Sequence, residues 1–178
     1  MALKHWQKLS TETKFRNPWW TYNICRYSLP SGKDGEYHYV HTDGSVFVVP
    51  VAVDGTLLLV NQYRLLNDRE SLEFPGGGIQ EGQDPVKAAR KELIEETGYE
   101  GELAKVGTFN PYNGITDEIC HVFIARNLLP STAETQDESE EFEIVKLSVE
   151  ELESKIRINE IYDGMTMASW ALAKPLLK

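Results

Sequence analysis

The chain of 178 residues is 41% hydrophobic and 26% charged, which is the composition of one globular domain, or one domain with a small appendage, and not of a disordered chain. Its formal net charge of −10, from 18 basic and 28 acidic residues, argues against a general nucleic-acid binder, which would show a basic face. The first ten residues lack the apolar segment of a signal peptide, and the longest apolar run, 46–53, is too short to span a bilayer. The sequence therefore predicts a soluble cytoplasmic protein without a nucleic-acid or membrane partner.

The first 44 residues predict an antiparallel β meander. Asn17-Pro18 and the segment 31–35 are turn signals, and strands are predicted at 22–29 and 36–41. A meander of this size has little core of its own, so we expect it to pack on another surface.

Asp54-Gly55 lies between two apolar runs, which is a strong hairpin signal. Strands are therefore predicted at 46–53 and 56–63. The two cysteines, Cys25 and Cys120, lack metal-ligand spacing. Two buried or idle thiols are the simpler interpretation, and a single disulfide is the alternative.

A helix is predicted between Asp84, a suitable N-cap, and Gly98, a suitable left-handed C-cap residue, with Pro85 at the first helical position. An apolar stripe at helical spacing is expected to face the core. It consists of Val86, Ala89 and Leu93.

The rest of the chain predicts short strands and two further helices. The strands are 72–74, 102–109, 118–125 and 142–147. Ser148 with Glu151 predicts a capping box at the start of a short helix, and residues 163–172 predict a closing helix. Helices mixed with strands around a mainly β middle favour an α/β or α+β sandwich.

Three acids of the first predicted helix, Glu92, Glu95 and Glu96, share one face. Like charges at this spacing repel by roughly 0.2–0.5 kcal/mol per pair, so the cluster requires a counter-charge. A divalent cation would supply it, because Mg²⁺ prefers carboxylates, waters and substrate phosphates as ligands. The alternative is a merely solvated acidic face. The glycines before the helix favour the metal, since glycine lets the backbone approach a phosphate closely.

The 23-residue window 77–99, GGIQEGQDPVKAARKELIEETGY, resembles the box of the Nudix family. The family pattern is Gly, five residues, Glu, seven residues, and then Arg-Glu-apolar-any-Glu-Glu-any-Gly-apolar. Seven of the nine defined positions match, and they include Gly77 and all three acids. Two positions differ, because Gln83 replaces Glu and Lys91 replaces Arg. Gln keeps the hydrogen-bonding shape without the charge, and Lys keeps the charge without the planar fork of Arg.

The resemblance implies an α+β fold of the Nudix type, an α/β/α sandwich of mixed β-sheet and helices, preceded by the antiparallel meander. Residues 45–178 would form the Nudix hydrolase domain, and residues 1–44 the meander and dimerisation segment.

Segments outside the box resemble ADP-ribose and nucleotide-sugar pyrophosphatases. They are 17–20, 62–64 and 72–77. In that subfamily the N-terminal segment exchanges between subunits, so the resemblance implies a homodimer in which two chains build each site. It also implies metal-dependent hydrolysis of the pyrophosphate linkage between a nucleoside diphosphate and a sugar, giving a nucleoside monophosphate and a sugar phosphate. One departure concerns the substrate, because the segment 110–114 stands where the subfamily often has Ser-Pro-Gly.

The resemblance assigns Glu92 and Glu96 as ligands of Mg²⁺, or of Mn²⁺ in its place, with Glu95 as a supporting catalytic residue or further ligand. A general base is also needed. The acidic segment 131–141 has the composition of a solvated loop, but its position resembles the mobile loop that carries the base in the subfamily. We therefore assign Glu140 as a metal ligand and Glu138 as the base.

Four residues are candidates for substrate binding. Gly77 lies in the glycine run. Arg64 is a candidate to clamp a phosphate or the nucleobase of the substrate, and a surface charge at the strand edge is the alternative. Trp19 and Trp20 are candidates for stacking on the nucleobase, and packing in a dimer core is the alternative.

Two other functions stay open. The first is a Nudix hydrolase of nucleoside triphosphates or dinucleoside polyphosphates, against which the N-terminal segment argues. The second is a non-catalytic nucleotide-binding sensor on the Nudix fold, motivated by Gln83 and Lys91. Retention of all three acids argues against the sensor.

Overall fold

The computed structural model describes residues 3–132 and 143–177. The chain divides into two units. The first comprises Met1–Asp43 and Asn110–Ile119, and the second comprises Gly44–Phe109 and Cys120–Lys178. The predicted boundary at residue 44 differs from this division, because it puts the segment 110–119 with the second part of the chain.

The first unit is a three-stranded antiparallel sheet of β1 (Gln7–Arg16), β2 (Thr21–Ser28) and β3 (Asp34–His41), in that order. The two predicted strands, β2 and β3, are confirmed, whereas β1 was not predicted. The segment 110–119 lies along β3, because the backbone N–H of Val40 donates to the carbonyl of Ile115 at 2.8 Å. The sequence missed β1 because it does not alternate between buried and exposed residues, and all ten of its residues are exposed.

The second unit contains two more sheets and three α-helices in its described residues. Its elements are β4 (Ser45–Pro50), β5 (Leu57–Arg64), β6 (Arg69–Glu73), β7 (Gly76–Gly78), α1 (Pro85–Thr97), β8 (Tyr99–Phe109), β9 (Cys120–Pro130), β10 (Glu143–Leu147), α2 (Val149–Arg157) and α3 (Gly164–Ala173), with 3₁₀ turns at Leu65–Asn67 and Lys174–Leu176. One sheet has the order β10-β5-β6 and is antiparallel. The other has the order β7-β4-β9-β8 and is mixed, because β4 and β9 run parallel. The α+β prediction is confirmed.

The predicted turn at Asp54-Gly55 forms, and Gly55 has a positive φ of 86°. The strands on either side belong to different sheets, however, and only the bridge between Val51 and Leu57 joins them. The predicted hairpin is therefore reduced to this turn, because β4 finds its long-range partners in β7 and β9.

Apolar residues of β4 alternate between the two faces of the mixed sheet. Val46 and Val48 pack with Ala89 and Leu93 of α1. The opposite face contributes to a larger core with α2 and α3, which includes Phe47, Val49, Phe74, Leu152 and Trp170. A two-residue period on β4 thus places α1 on one side of the sheet and the other two helices on the opposite side.

Helix α1 begins and ends at the predicted caps. The Asp84 side chain accepts hydrogen bonds from the backbone of Val86 and Lys87, and Gly98 adopts a left-handed conformation with φ of 69°. The predicted core positions Ala89 and Leu93 are fully buried, but Val86 is 42% exposed, so its core assignment is wrong. The buried face of α1 starts at Ala88, and the first turn lies at the edge of the contact with the sheet.

The last two predicted helices also form, α2 at its predicted capping box and α3 after Asp163, the first residue of the predicted closing helix. Ser148 and Glu151 form the reciprocal capping box of α2, and Asp163 caps α3. Both cysteines are free and buried, as the simpler interpretation predicts. Among the described residues, no helix has the length and apolar character that crossing a membrane requires.

Candidate active site

The Gly77 backbone lies against the carboxylate of Glu92. A Cβ atom built on Gly77 would lie 2.8 Å from Cδ of Glu92 and 2.9 Å from each of its carboxylate oxygens. Such a distance is far below van der Waals contact, so only glycine lets the carboxylate take this position. The glycine run was expected to let the backbone approach a phosphate, and the structure shows that it also pairs with β4 and lies beside the acids.

The neighbouring residue, Gly76, contacts the second predicted metal ligand. Its backbone N–H donates to Oε2 of Glu96 at 3.1 Å, and Glu96 is only 8% exposed. Consecutive glycines of β7 therefore touch the carboxylates of Glu92 and Glu96, which lie one turn apart on α1. This arrangement brings both acids to one short strand.

The two departures from the Nudix box have partners in the structure. Lys91 pairs with Glu95 one turn later, with Nζ 3.0 Å from Oε2. The side-chain oxygen of Gln83 accepts the backbone N–H of Gln80 at 3.0 Å, and the backbone N–H of Gln83 donates to the carbonyl of Gln80. Gln83 thus closes the loop before α1 by hydrogen bonds that do not require a charge.

Arg64, the candidate clamp, is bound by a carboxylate that the sequence did not single out. Its Nε donates to Oε1 of Glu73 at 2.8 Å, and its second terminal nitrogen donates to Oε2 of the same side chain. Glu73 is 2% exposed, whereas 44% of the Arg64 side chain remains exposed. Arg64 therefore belongs to a partly buried ion pair and is not a plain surface charge.

The pKa of the Arg64 guanidinium is raised, first by the hydrogen bond to Glu73, although partial burial acts in the opposite direction. The negative charges of Glu73, Asp163 and Glu96 raise the same pKa further. Since these charges act on Arg64, its guanidinium lies in the field of the predicted metal ligand Glu96.

The start of α3 is hydrogen-bonded to the segment between β6 and β7. The Asp163 side chain accepts the backbone N–H of Thr166 at 2.7 Å, and the Thr166 hydroxyl accepts the backbone N–H of Phe74 at 3.0 Å. Thr166 is fully buried. This link fixes the backbone between Glu73 and Gly76.

The residues present fit a hard divalent cation. Carboxylate oxygens are its preferred ligands, and Mg²⁺ commonly uses one or two protein carboxylates with waters and substrate phosphates. The space beside Gly77 that a Cβ atom would fill holds the carboxylate of Glu92. Within residues 3–132 and 143–177, no three His, Cys, Asp or Glu side chains form a metal-holding group on their own.

The remaining predicted site residues lie elsewhere. Trp19 and Trp20 belong to the first unit, where their backbone N–H groups both donate to the side-chain oxygen of Asn17. The Trp20 ring lies 5.5 Å from that of Phe15, and Trp19 is 78% exposed. Glu138 and Glu140 lie outside the described residues.

The sequence missed Glu73 and the Asp163–Thr166 link. Glu73 lies between Leu72 and Phe74, so an alternating strand pattern puts it on the face opposite to these apolar residues. Its burial becomes apparent only once the strand pairing is known. Its partner Arg64 is nine residues away, and no local spacing rule connects the two.

Comparison with known proteins places this geometry in a family. The NUDIX domain profile matches residues 41–167. The chain therefore belongs to the Nudix family, and the prediction from the box is confirmed. Nudix hydrolases generally use divalent metal ions.

Two curated relatives carry the names of pyrophosphatases. The chain is 34% identical to the ADP-ribose pyrophosphatase of Bacillus subtilis (strain 168) over 140 residues, which cover 78% of this chain and 76% of the relative. It is 31% identical to a GDP-mannose pyrophosphatase of Escherichia coli O1:K1 / APEC over 161 residues, which cover 83% of this chain and 81% of the relative.

A third relative has a different name. The chain is 33% identical to the methanol dehydrogenase activator of Bacillus methanolicus over 141 residues, which cover 78% of this chain and 76% of the relative. Among solved structures, the chain is similar to an ADP compounds hydrolase with a TM-score of 0.85, over 99% of this chain and 96% of the other, at 22% identity. This last similarity concerns the fold.

Proposed function

We propose that the chain hydrolyses the pyrophosphate linkage of a nucleoside diphosphate joined to a sugar, in a metal-dependent reaction that yields a nucleoside monophosphate and a sugar phosphate. The observation that carries the proposal is the contact of Glu92 and Glu96 with consecutive glycines inside a Nudix domain. The names of two relatives, an ADP-ribose and a GDP-mannose pyrophosphatase, support this substrate class.

Glu92 and Glu96 would hold the metal, which we propose to be Mg²⁺, with Mn²⁺ as the alternative. When bound, the ion neutralises phosphate charge and lowers the pKa of a water. Gly76 orients Glu96 through its backbone N–H, and Glu95 supports the acid face through its pair with Lys91. Arg64 presents a fixed positive charge to the diphosphate, which is the usual role of an arginine clamp in phosphoryl transfer.

Further roles complete the proposal. Glu138 takes the proton of the attacking water, and Glu140 completes the metal ligands. Gly77 keeps its backbone within reach of a phosphate, while Trp19 and Trp20 stack on the nucleobase. The chain acts in the cytoplasm as a homodimer.

The test is a panel of ADP-ribose, GDP-mannose, other nucleotide sugars, dinucleoside polyphosphates and nucleoside triphosphates, assayed with and without Mg²⁺ by coupled phosphatase. We expect strong turnover of a diphosphate-linked sugar that a chelator abolishes. Preferred turnover of triphosphates or dinucleoside polyphosphates would establish the alternative substrate class.

Glu96→Gln is expected to lower turnover by orders of magnitude, because it removes the charge but keeps an acceptor for Gly76. Glu100→Gln, an exposed change on β8, is the matched control and should retain wild-type turnover. Equal rates for Glu96→Gln and the wild type would contradict the metal-ligand role. Tight nucleotide binding by a wild type without turnover would establish the sensor.

A further inference from the structure

Glu73 is a buried carboxylate that the reaction described so far does not use. It is 2% exposed at the end of β6, and both of its oxygens accept hydrogen bonds from Arg64. Burial of a carboxylate is costly unless a counter-charge and hydrogen bonds compensate it. The buried negative charge of Glu73 is thus held against the partly exposed guanidinium of Arg64.

The strand register shows how far Arg64 reaches to make this pair. Arg64 is paired with Arg69 across β5 and β6, whereas Glu73 is paired with Val60. The two residues share a face but lie four residues apart along the strands, about 13 Å at the usual rise per residue. The Arg64 side chain therefore extends back along the sheet, and its position is not that of a freely rotating surface residue.

The pair leaves the guanidinium able to bind a second anion. Arginine has five N–H donors in a rigid plane, and Glu73 receives a bond from Nε and one from a terminal nitrogen. Two parallel bonds fix the plane of the fork, so the directions of the other donors are fixed too. Glu73, which holds the fork, is three residues before Gly76, whose backbone N–H donates to Oε2 of the proposed metal ligand Glu96 at 3.1 Å. The negative charge of Glu96 also contributes to the raised pKa of Arg64.

We propose that Glu73 is a positioning residue for pyrophosphate hydrolysis. It holds the Arg64 guanidinium in the orientation that binds a non-bridging oxygen of the substrate diphosphate. The inference rests on the proposed function for the identity of the ligand. Glu73 itself does not touch the substrate.

The test measures the Kd of α,β-methylene analogues of ADP-ribose and GDP-mannose by calorimetry, since these analogues are not cleaved. Glu73→Gln and Arg64→Lys are each expected to weaken binding about ten- to a hundredfold, the size of a charge-assisted hydrogen bond. The double variant should bind about as weakly as the weaker single variant, because both changes remove one interaction. Glu70→Gln and Arg69→Lys, on the same strand, are matched controls that should bind as the wild type does.

A second measurement separates positioning from a structural role. Guanidinium ion added to Arg64→Ala should restore binding, because Glu73 can hold the free ion in place of the side chain. It should not restore binding to Arg64→Ala combined with Glu73→Gln. Failure of guanidinium to restore binding to Arg64→Ala, which retains Glu73, would itself contradict the inference, so this variant is informative even if Glu73→Gln does not fold.

Several results would overturn the inference. They are wild-type affinity in Glu73→Gln, additive losses in the double variant, or equal rescue with and without Glu73. A wild type that binds the analogues but hydrolyses no member of the substrate panel would refute the proposed function, while the Kd comparison would still decide the role of Glu73. A wild type that binds neither analogue would contradict both proposals.

Discussion

Gly77 shows how a single residue determines the shape of the candidate site. Its missing side chain leaves the space that the Glu92 carboxylate occupies, and the nearest atoms belong to the flexible end of that side chain. A methyl group there would displace the carboxylate without moving the backbone. The glycine is thus required by the close approach of an acid and not by a positive φ.

Gly77→Ala is expected to weaken metal binding and to lower turnover at least about tenfold, which corresponds to about 1.4 kcal/mol of transition-state stabilisation. Gly78→Ala is the matched control, because a Cβ atom there meets no atom within 4 Å. Metal titration, turnover and the Tm of both variants check the prediction. A loss of Tm that is equal in the two variants, with unchanged metal affinity, would refute it.

The sequence could predict the acids but not all of their surroundings. Glu92, Glu95 and Glu96 follow from helical spacing, which is local. The glycine run was expected to approach a phosphate, but its contact with the acids could not be predicted, because it depends on the pairing of β7 with β4. Glu73 was missed for the same reason, since its role depends on the alignment of β5 with β6.

Among the elements, helix boundaries were the most predictable feature. Asp84, Ser148 and Asp163 all act as side-chain caps, because N-capping depends only on the residue and the next three positions. Strand β1 was not predictable, because its exposed residues carry no burial pattern. Val86 has the helical spacing of the core stripe, but only the structure shows that the sheet does not cover the first turn of α1.

The capping box of α2 makes a pH-dependent contribution to stability. The pKa of Glu151 is lowered, first by the hydrogen bond from the Ser148 backbone and then by that from its hydroxyl. A carboxylate with a lowered folded-state pKa stabilises the fold above its unfolded-state pKa, and this stabilisation is lost as the pH falls through the folded-state pKa.

Glu151→Gln should therefore lower the Tm at neutral pH, and the difference from the wild type should disappear in acid, below the usual pKa of glutamate. Glu150→Gln removes a charge from the same helical turn without breaking the box and should have a smaller effect. Thermal unfolding between neutral and acid pH checks this. A difference that stays constant across this range would show that the box does not depend on the charge.

For the whole molecule, the sequence predicted the α+β class and the family from one specific window and a set of turn signals. It did not predict that the segment 110–119 joins the first unit, because that association depends on hydrogen bonds between distant residues, such as the one between His41 and Asp117. The first unit exposes several large apolar side chains, which include Trp6, Leu9, Phe15 and Trp19. Such side chains support the proposed homodimer.

We expect sedimentation to show a two-chain species at micromolar concentration. Replacing Leu9 and Phe15 together with Asp should shift it towards one chain, because charges at an apolar contact oppose association. Val53→Asp, at an exposed apolar position of the second unit, is the control and should leave the dimer intact. A wild type that sediments as a single chain would contradict the homodimer.

This Nudix chain is expected to cleave the P–O–P phosphoanhydride linkage of a diphosphate-linked sugar. Phosphorus NMR of the products from ADP-ribose and GDP-mannose, with Mg²⁺ present, tests it most directly. We predict equal amounts of nucleoside monophosphate and sugar phosphate from at least one substrate, no orthophosphate, and no products from Glu96→Gln. Release of a nucleoside diphosphate and free sugar, or an unchanged substrate signal with both compounds, would contradict the claim.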